Sequence, residues 1–204
     1  MTKRINAKKK ASRKLGGSLW GQAKDPYLKR NYRPGQHGAA SKRTSDYGNQ
    51  LRAKQRMKFY YGNISERQFY NIFLEANKMK GDNSENFVSL LESRLDTVVY
   101  RANFVPTVFA ARQFVNHKHV MVNGKAVNIP SYRLKVGDVV QVRDKSRKLA
   151  SLIESLQKME RDIPAYLSLD KDNFSIKLTA KPAFAEVPYA IEMQPHFIIE
   201  FYSR

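Results

Sequence analysis

Thr107-Val108-Phe109-Ala110-Ala111-Arg112-Gln113-Phe114-Val115-Asn116-His117-Lys118-His119-Val120-Met121-Val122-Asn123-Gly124-Lys125-Ala126-Val127 contains two periodicities in succession. The Val105-Pro106 step before it favours extended backbone, so Thr107 can cap a short helix running to about Asn116. Val120-Met121-Val122 and Lys125-Ala126-Val127 then flank Asn123-Gly124, the strongest short signal for a two-residue type I′ hairpin. Downstream, Ile129-Pro130-Ser131-Tyr132-Arg133 and Gly137-Asp138 punctuate the chain before a further strand, Val139-Val140-Gln141-Val142. Upstream, Phe87, Leu91, Leu95 and Val98 recur at helical spacing behind a Ser84 cap, predicting one helix through the segment. Residues 91–144 therefore read as a compact module of two helices and a small antiparallel sheet.

On either side the pattern is mainly helical. Ser45-Asp46 can cap a helix through Gln50, Leu51, Ala53, Met57 and Tyr60, ended by Gly62, with Arg52, Lys54, Arg56 and Lys58 on its exposed face. Ser65 with Gln68 is a capping box; Phe69, Ile72, Phe73 and Ala76 form the stripe of the next helix, closed by Gly81. Residues 146–160 form an amphipathic helix by pattern, with Leu149, Leu152, Ile153, Leu156 and Met159 on one side. The tail has strand-like stretches from Ser175 to Leu178 and from Phe197 to Phe201, broken by Pro182, Pro188 and Pro195, and reads as covering structure. Residues 1–45 mix cations with glycine and proline and hold no period beyond one turn, so an extended basic arm is expected. The expected class is α+β: arm 1–45, mainly helical domain 46–90 plus 145–204, and the inserted module 91–144.

Charge narrows the function. The 204 residues carry 37 Lys+Arg against 18 Asp+Glu, a net of +19. Residues 1–60 hold +15 of it and residues 90–148 hold +7, while the other blocks are near neutral. An ordinary small-molecule enzyme has no need of such self-repulsion; a polyanionic partner, nucleic acid or an anionic membrane surface, offsets it. The absence of cysteine excludes disulfides, zinc ribbons and thiol catalysis. The sequence has no run of 18 or more apolar residues, so no bilayer span is expected, and its N-terminus lacks the apolar stretch of a secretory signal. A basic, acid-poor start weakly resembles an organelle transit peptide, but a solvated arm is the reading taken. His37, His117, His119 and His196 lack metal-ligand spacing, and no glycine-rich loop ends in Lys-Ser or Lys-Thr, so no cofactor is expected.

The candidate RNA contacts follow from these placements. Arg94 and Arg101 lie seven residues apart, on one expected helix face, and Arg112 sits on the next helix. Asn116, His117 and Lys118 cluster at that helix's end, and Lys125, Arg133 and Lys135 lie on or beside the hairpin. Arg52, Arg56 and Lys58 precede the module; Arg33 and His37 belong to the arm, where Trp20, Tyr27 and Tyr32 can also stack. Guanidinium groups on rigid elements suit phosphate recognition because each can bond two oxygens.

Leu91-Glu92-Ser93-Arg94-Leu95-Asp96, Val98-Val99-Tyr100-Arg101, Ala111-Arg112-Gln113-Phe114-Val115-Asn116-His117, Val122-Asn123-Gly124-Lys125 and Asn128-Ile129-Pro130-Ser131-Tyr132-Arg133 resemble the small-subunit ribosomal protein S-four family, bacterial type. Arg33-Pro34-Gly35-Gln36-His37-Gly38, Asp46-Tyr47-Gly48-Asn49-Gln50-Leu51-Arg52, Arg67-Gln68-Phe69 and Phe201-Tyr202-Ser203-Arg204 extend the likeness to the end of the chain. The resemblance implies a non-enzymatic protein that binds the five-prime domain of small-subunit ribosomal RNA early in assembly. It implies ribosomal proteins S-five and S-three as neighbours, and messenger RNA close by where it enters the subunit; no membrane and no small-molecule substrate are implied. Two departures stand out: many relatives hold zinc in the arm with cysteines that this chain lacks, and the family commonly has glycine where this chain has Lys118.

Three rivals are weaker. Arg94-Leu95-Asp96-Thr97 superficially resembles a pseudouridine synthase motif, but its flanking glycines and a separate catalytic domain are missing. A membrane-surface protein would need an apolar helix beside the charge, which residues 1–45 do not supply. A stand-alone RNA chaperone or DNA-compacting protein would not need the motifs outside the module.

Overall fold

The computed structural model describes residues 8–40 and 44–203. The first seven residues of the arm, residues 41–43 and the terminal Arg204 of the last family-like stretch lie outside the described residues. The helices up to the module are α1 Lys8–Leu15, α2 Pro26–Lys29, α3 Asp46–Tyr60, α4 Glu66–Ala76 and α5 Asn83–Glu92. Next come α6 Leu95–Arg101, α7 Val108–Asn116, β1 Val120–Val122, β2 Lys125–Ala126 and β3 Val139–Val142. The tail adds α8 Ala150–Lys158, β4 Leu167–Asp170, β5 Ser175–Leu178 and α9 Pro195–Tyr202. The class is α+β. The chain forms two compact units, Met1–Glu75 with Tyr189–Arg204, and Ala76–Pro188. Packing thus divides the chain elsewhere than at the composition shifts near residues 45, 90 and 144.

In the first unit the local signals set the helices. Ser45 Oγ accepts the Gly48 amide at 3.2 Å and starts α3. α3 packs along α9, where the sequence reads Phe197 to Phe201 as strand-like. That reading is corrected: Pro195 sits in the first turn of a helix, where its missing N–H is no loss, and the short run Phe197-Ile198-Ile199 suits either period. The arm is also more structured than expected. Ala11 and Leu15 are one helical turn apart in α1 and are buried with Leu19, with Trp20, Phe59 and Ile191 packed against them. Trp20 Nε1 donates to the Tyr60 carbonyl at 3.1 Å. Asp25 ties the segment together, accepting from Ser12 Oγ at 2.7 Å, Ser18 Oγ at 3.2 Å and the Tyr27 amide at 2.9 Å, which caps α2.

In the second unit α5 is capped by Asp82, which accepts the Glu85 amide at 2.9 Å, and not by Ser84. The single helix expected through Val98 is interrupted. Arg94 takes an extended conformation (ψ 141°) and bridges Arg133, while Leu95 and Asp96 donate to the Tyr132 and Pro130 carbonyls at 2.8 and 3.1 Å. Leu134 returns a bond to the Ser93 carbonyl at 2.8 Å. The segment carrying Pro130 to Leu134 thus replaces helical partners with strand-like ones, and Thr97 Oγ1 satisfies the Leu91 carbonyl at 3.1 Å. α7 is as expected, with Thr107 Oγ1 accepting the Ala110 amide at 3.1 Å.

The hairpin also forms: Asn123 (φ 48°) and Gly124 (φ 77°) turn the chain and Val122 pairs with Lys125. The sheet is larger than the three strands foreseen. Its order is β2-β1-β3-β5-β4, antiparallel throughout, with Val120 opposite Val142 and Val140 opposite Ile176. β4 and β5 therefore complete the module's sheet and are not merely a cover. Val140, Val142, Ile176 and Leu178 are buried along it. α8 is shorter than the pattern predicts and buries only Leu152, leaving Leu149 and Ile153 exposed. Arg161, just beyond it, donates to the carbonyls of Tyr100, Val105 and Pro106 at 3.2, 2.7 and 2.9 Å and lies 4.1 Å from the Tyr100 ring centroid. It latches the α6–α7 connection.

Candidate nucleic-acid interface

The predicted cations separate into three groups by where the fold leaves their charge. Arg94 and Arg101 are 2% and 1% exposed, so the expected shared helix face does not exist. Arg94 makes a two-pronged pair with Asp96, Nε to Oδ1 at 3.0 Å and Nη2 to Oδ2 at 2.7 Å. Arg101 grips Glu92 the same way at 3.0 and 2.8 Å, and the Tyr166 hydroxyl donates to Glu92 at 2.8 Å. Buried charges need such partners, and these two guanidiniums brace the module from inside.

The second group is α3. Lys54 is buried, and Arg52, Arg56 and Lys58 are half-buried, so the exposed basic face is also corrected. Lys54 and Lys58 hold the two oxygens of Glu66 at 2.8 and 2.7 Å, and Tyr202 Oη donates to Glu66 at 2.6 Å. Burial raises the Glu66 carboxyl, but these three donors outweigh it and bring its pKa to about 2. Arg56 donates to the carbonyls of Leu15 and Glu192 at 3.0 and 3.2 Å. Arg52 has a different setting: burial and the nearby charges of Arg33 and Arg56 lower its pKa.

The third group reaches solvent. Asn116, His117 and Lys118 are exposed at the end of α7. The turn there is a Schellman motif: the Lys118 amide bonds the Val115 carbonyl at 2.9 Å and the His119 amide the Phe114 carbonyl at 3.2 Å. The Phe114 and His119 rings pack 4.8 Å apart across it. Lys118 itself has φ 61°, the left-handed conformation that glycine adopts most easily. At the other end of β1, Lys125 and Lys135 are exposed around the hairpin turn, where Asp138 bonds both Asn123 and the Lys135 amide at 2.8 Å. Arg133 is half-buried, and Arg112 is half-buried with Nη1 4.0 Å from Asp96. In the arm, Arg33 and His37 are exposed.

Sequence reasoning missed Arg143. The β1–β3 register sets it opposite His119: its amide donates to the His119 carbonyl at 2.9 Å and its guanidinium to the Lys118 carbonyl at 3.2 Å. Only strand pairing places this cation beside the end of α7; the clue was the register of two strands separated by the Pro130 loop. Burial first, then the charges of His117 and Arg143, hold His119 below the ordinary histidine range, and its Nδ1 lies 2.8 Å from Ser146 Oγ. The exposed strip so formed offers amide, ammonium and imidazole donors that can bond phosphate and ribose oxygens without reading base sequence.

Comparison with known proteins matches this architecture. A family profile described as the ribosomal protein S4/S9 N-terminal domain matches residues 3–92, and one described as the S4 domain matches residues 93–140. The small ribosomal subunit protein uS4 of Nitrobacter winogradskyi is 59% identical over 205 residues, covering 100% of both chains. Those of Phenylobacterium zucineum and Rhodopseudomonas palustris are 57% and 55% identical, again over 100% of both chains.

Proposed function

The chain belongs to the small ribosomal subunit protein uS4 family, and from that premise we propose that it binds the five-prime domain of small-subunit ribosomal RNA as a non-enzymatic constituent of that subunit. The observation that carries this reading is the exposed strip from Asn116 to Lys118, with Lys125 and Lys135 at the hairpin, on the S4 domain of a strongly basic chain. Arg112, Arg133 and the newly placed Arg143 flank the strip and add guanidiniums; Arg33, His37 and Arg52 extend the contact into the arm. Arg94, Arg101, Arg56 and Lys58 hold these surfaces in shape through internal partners, and are not assigned phosphates.

In this reading cations of the first forty-five residues contact the RNA backbone, and residues 91–144 grip a folded junction. The protein works in the cytoplasm as part of the ribosome, beside proteins S-five and S-three and near messenger RNA where it enters, supporting nucleation of assembly and accuracy. The test is competition between the five-prime domain and bulk RNA at ~0.3 M salt, where non-specific phosphate binding fades steeply. Selective retention of the five-prime domain, and co-sedimentation with the small subunit through a high-salt wash, is the expected result. Equal retention of both RNAs would overturn the reading.

A further inference from the structure

The connection between α6 and α7 and the end of α8 enclose a cavity of about 200 Å³, lined within the unit Ala76–Pro188. Two left-handed residues build it. Asn103 (φ 57°) follows the C-terminus of α6, a place where asparagine can stand in for glycine, and its backbone N–H donates to the Tyr100 carbonyl at 3.2 Å. Met159 (φ 37°) ends α8 and turns the chain so that Glu160 and Arg161 line the same cavity as Glu154. On α8 the lining residues Glu154, Ser155 and Lys158 come three, four and seven positions after Ser151, which puts all of them on one helix face.

The polar groups here are short of donors. Asn103 is 1% exposed; its Nδ2 donates to the Arg161 carbonyl at 2.7 Å, and its Oδ1 is buried without a hydrogen-bond partner among the described residues. A buried acceptor with no donor is costly, and folded proteins seldom keep one without a use. Glu154 and Glu160 are exposed carboxylates with no ion pair or hydrogen bond to a described residue. Arg161 directs its guanidinium to the Tyr100, Val105 and Pro106 carbonyls, so Lys158 is the exposed cation of the lining. Acceptors thus outnumber free donors at this place, on a chain whose net charge is +19.

We propose that this cavity is a docking pocket for an arginine side chain of a partner protein, whose guanidinium donates to the Glu154 and Glu160 carboxylates and to Asn103 Oδ1. Size fits a single side chain, because about 200 Å³ lies below the roughly 300–1,000 Å³ of small-molecule sites. A guanidinium presents its N–H donors in a flat fork that serves acceptors set around it, whereas an ammonium offers its donors from one point. RNA is a poor occupant, since its phosphates would meet two carboxylates. The pocket does not depend on the ribosomal reading.

The test is a titration of the full ¹⁵N-labelled chain with the peptide acetyl-Gly-Arg-Gly-amide, followed by NMR. The Asn103 side-chain amide and the Ser155 and Lys158 backbone amides are expected to shift together and saturate. The same peptide with citrulline in place of arginine, equal in shape but uncharged, is expected not to saturate them. Glu154→Gln with Glu160→Gln is expected to weaken peptide binding about tenfold. Asp172→Asn with Glu186→Gln, which removes the same charge from exposed positions elsewhere in the unit, is expected to change it by less than about twofold. Asn103→Gly keeps the left-handed turn and is expected to weaken binding about fivefold, read at Ser155 and Lys158. Equal losses in both carboxylate pairs, unchanged binding in Asn103→Gly, or no saturable binding by the wild type would overturn the pocket.

Free L-arginine and a uridine oligonucleotide are the competing occupants. If free L-arginine binds more tightly than the capped peptide, with Lys158 taking its carboxylate, the occupant is an amino acid. If the oligonucleotide displaces the peptide, the face is an RNA contact. Either result overturns docking of a protein arginine. A chain that binds the peptide but does not select the five-prime domain sinks the ribosomal reading and leaves the pocket standing.

Discussion

Lys118 concentrates two opposing demands in one residue. Its left-handed backbone (φ 61°) closes α7, a conformation costing an L-residue about 1–2 kcal/mol relative to glycine, yet the residue is exposed and its carbonyl accepts from the Arg143 guanidinium. Lys118→Gly is expected to raise stability by roughly 0.5–1 kcal/mol in chemical denaturation. The same change is expected to weaken RNA binding and to flatten its dependence on log salt by roughly one. Arg94 makes the contrasting case. Arg94→Met leaves Asp96 charged and 2% exposed, and should cost about 3–5 kcal/mol, read from urea midpoints. The surviving folded fraction should bind RNA as wild type does; a selective loss of RNA affinity without a stability change would return Arg94 to the interface. In sequence the two residues look alike, as cations beside a hydrophobic stripe. What separates them is whether the fold supplies a carboxylate, and Asp96 lies two positions on while the partner of Arg101, Glu92, lies nine back on another helix.

Among elements, α9 is held to α3 and α4 by the Glu66 carboxylate with Lys54, Lys58 and Tyr202. Because the folded pKa of Glu66 is about 2, below its ordinary value of 4.5, this contribution is present above about pH 4.5 and is lost as pH falls toward 2. Glu66→Gln is expected to flatten that part of the acid-denaturation curve while leaving the curve near neutrality less affected in slope. Arg161 acts on another joint. Arg161→Glu should loosen the α6–α7 connection by roughly 2–4 kcal/mol, since three charged hydrogen bonds to carbonyls are lost. Lys148, exposed outside the helices and strands, is the neutral control for RNA binding. Arg112→Glu is expected to weaken RNA binding more than Lys148→Glu in matched filter-binding curves of the folded protein, and also to lower the melting temperature, because it brings a second carboxylate toward Asp96. Equal losses would remove α7 from the interface. Elements whose signals are local were legible: the Ser45 and Thr107 caps and the Asn123-Gly124 turn each act within a few residues. The α5–α6 break was not, because its cause is the Tyr132 and Pro130 carbonyls, more than thirty residues away.

At the scale of the whole chain, the net charge of +19 makes salt the controlling variable. If six or so phosphates are neutralised, affinity for the five-prime domain should fall by about a thousandfold between 50 and 200 mM salt, measured by filter binding. Removing the first 45 residues should reduce that slope, because most of the first block's charge goes with them. Composition, charge segregation and short capping and turn motifs determined by themselves that this is a strongly basic α+β protein with a helix-and-hairpin module, because each depends on residues close together in the chain. The tertiary structure alone decided which cations face outward, that β4 and β5 extend the sheet, that Arg143 joins Lys118, and that Asn103 and Glu154 share a cavity. The physical reason is that burial and pairing of a charge depend on partners brought from distant positions, and no local pattern records them.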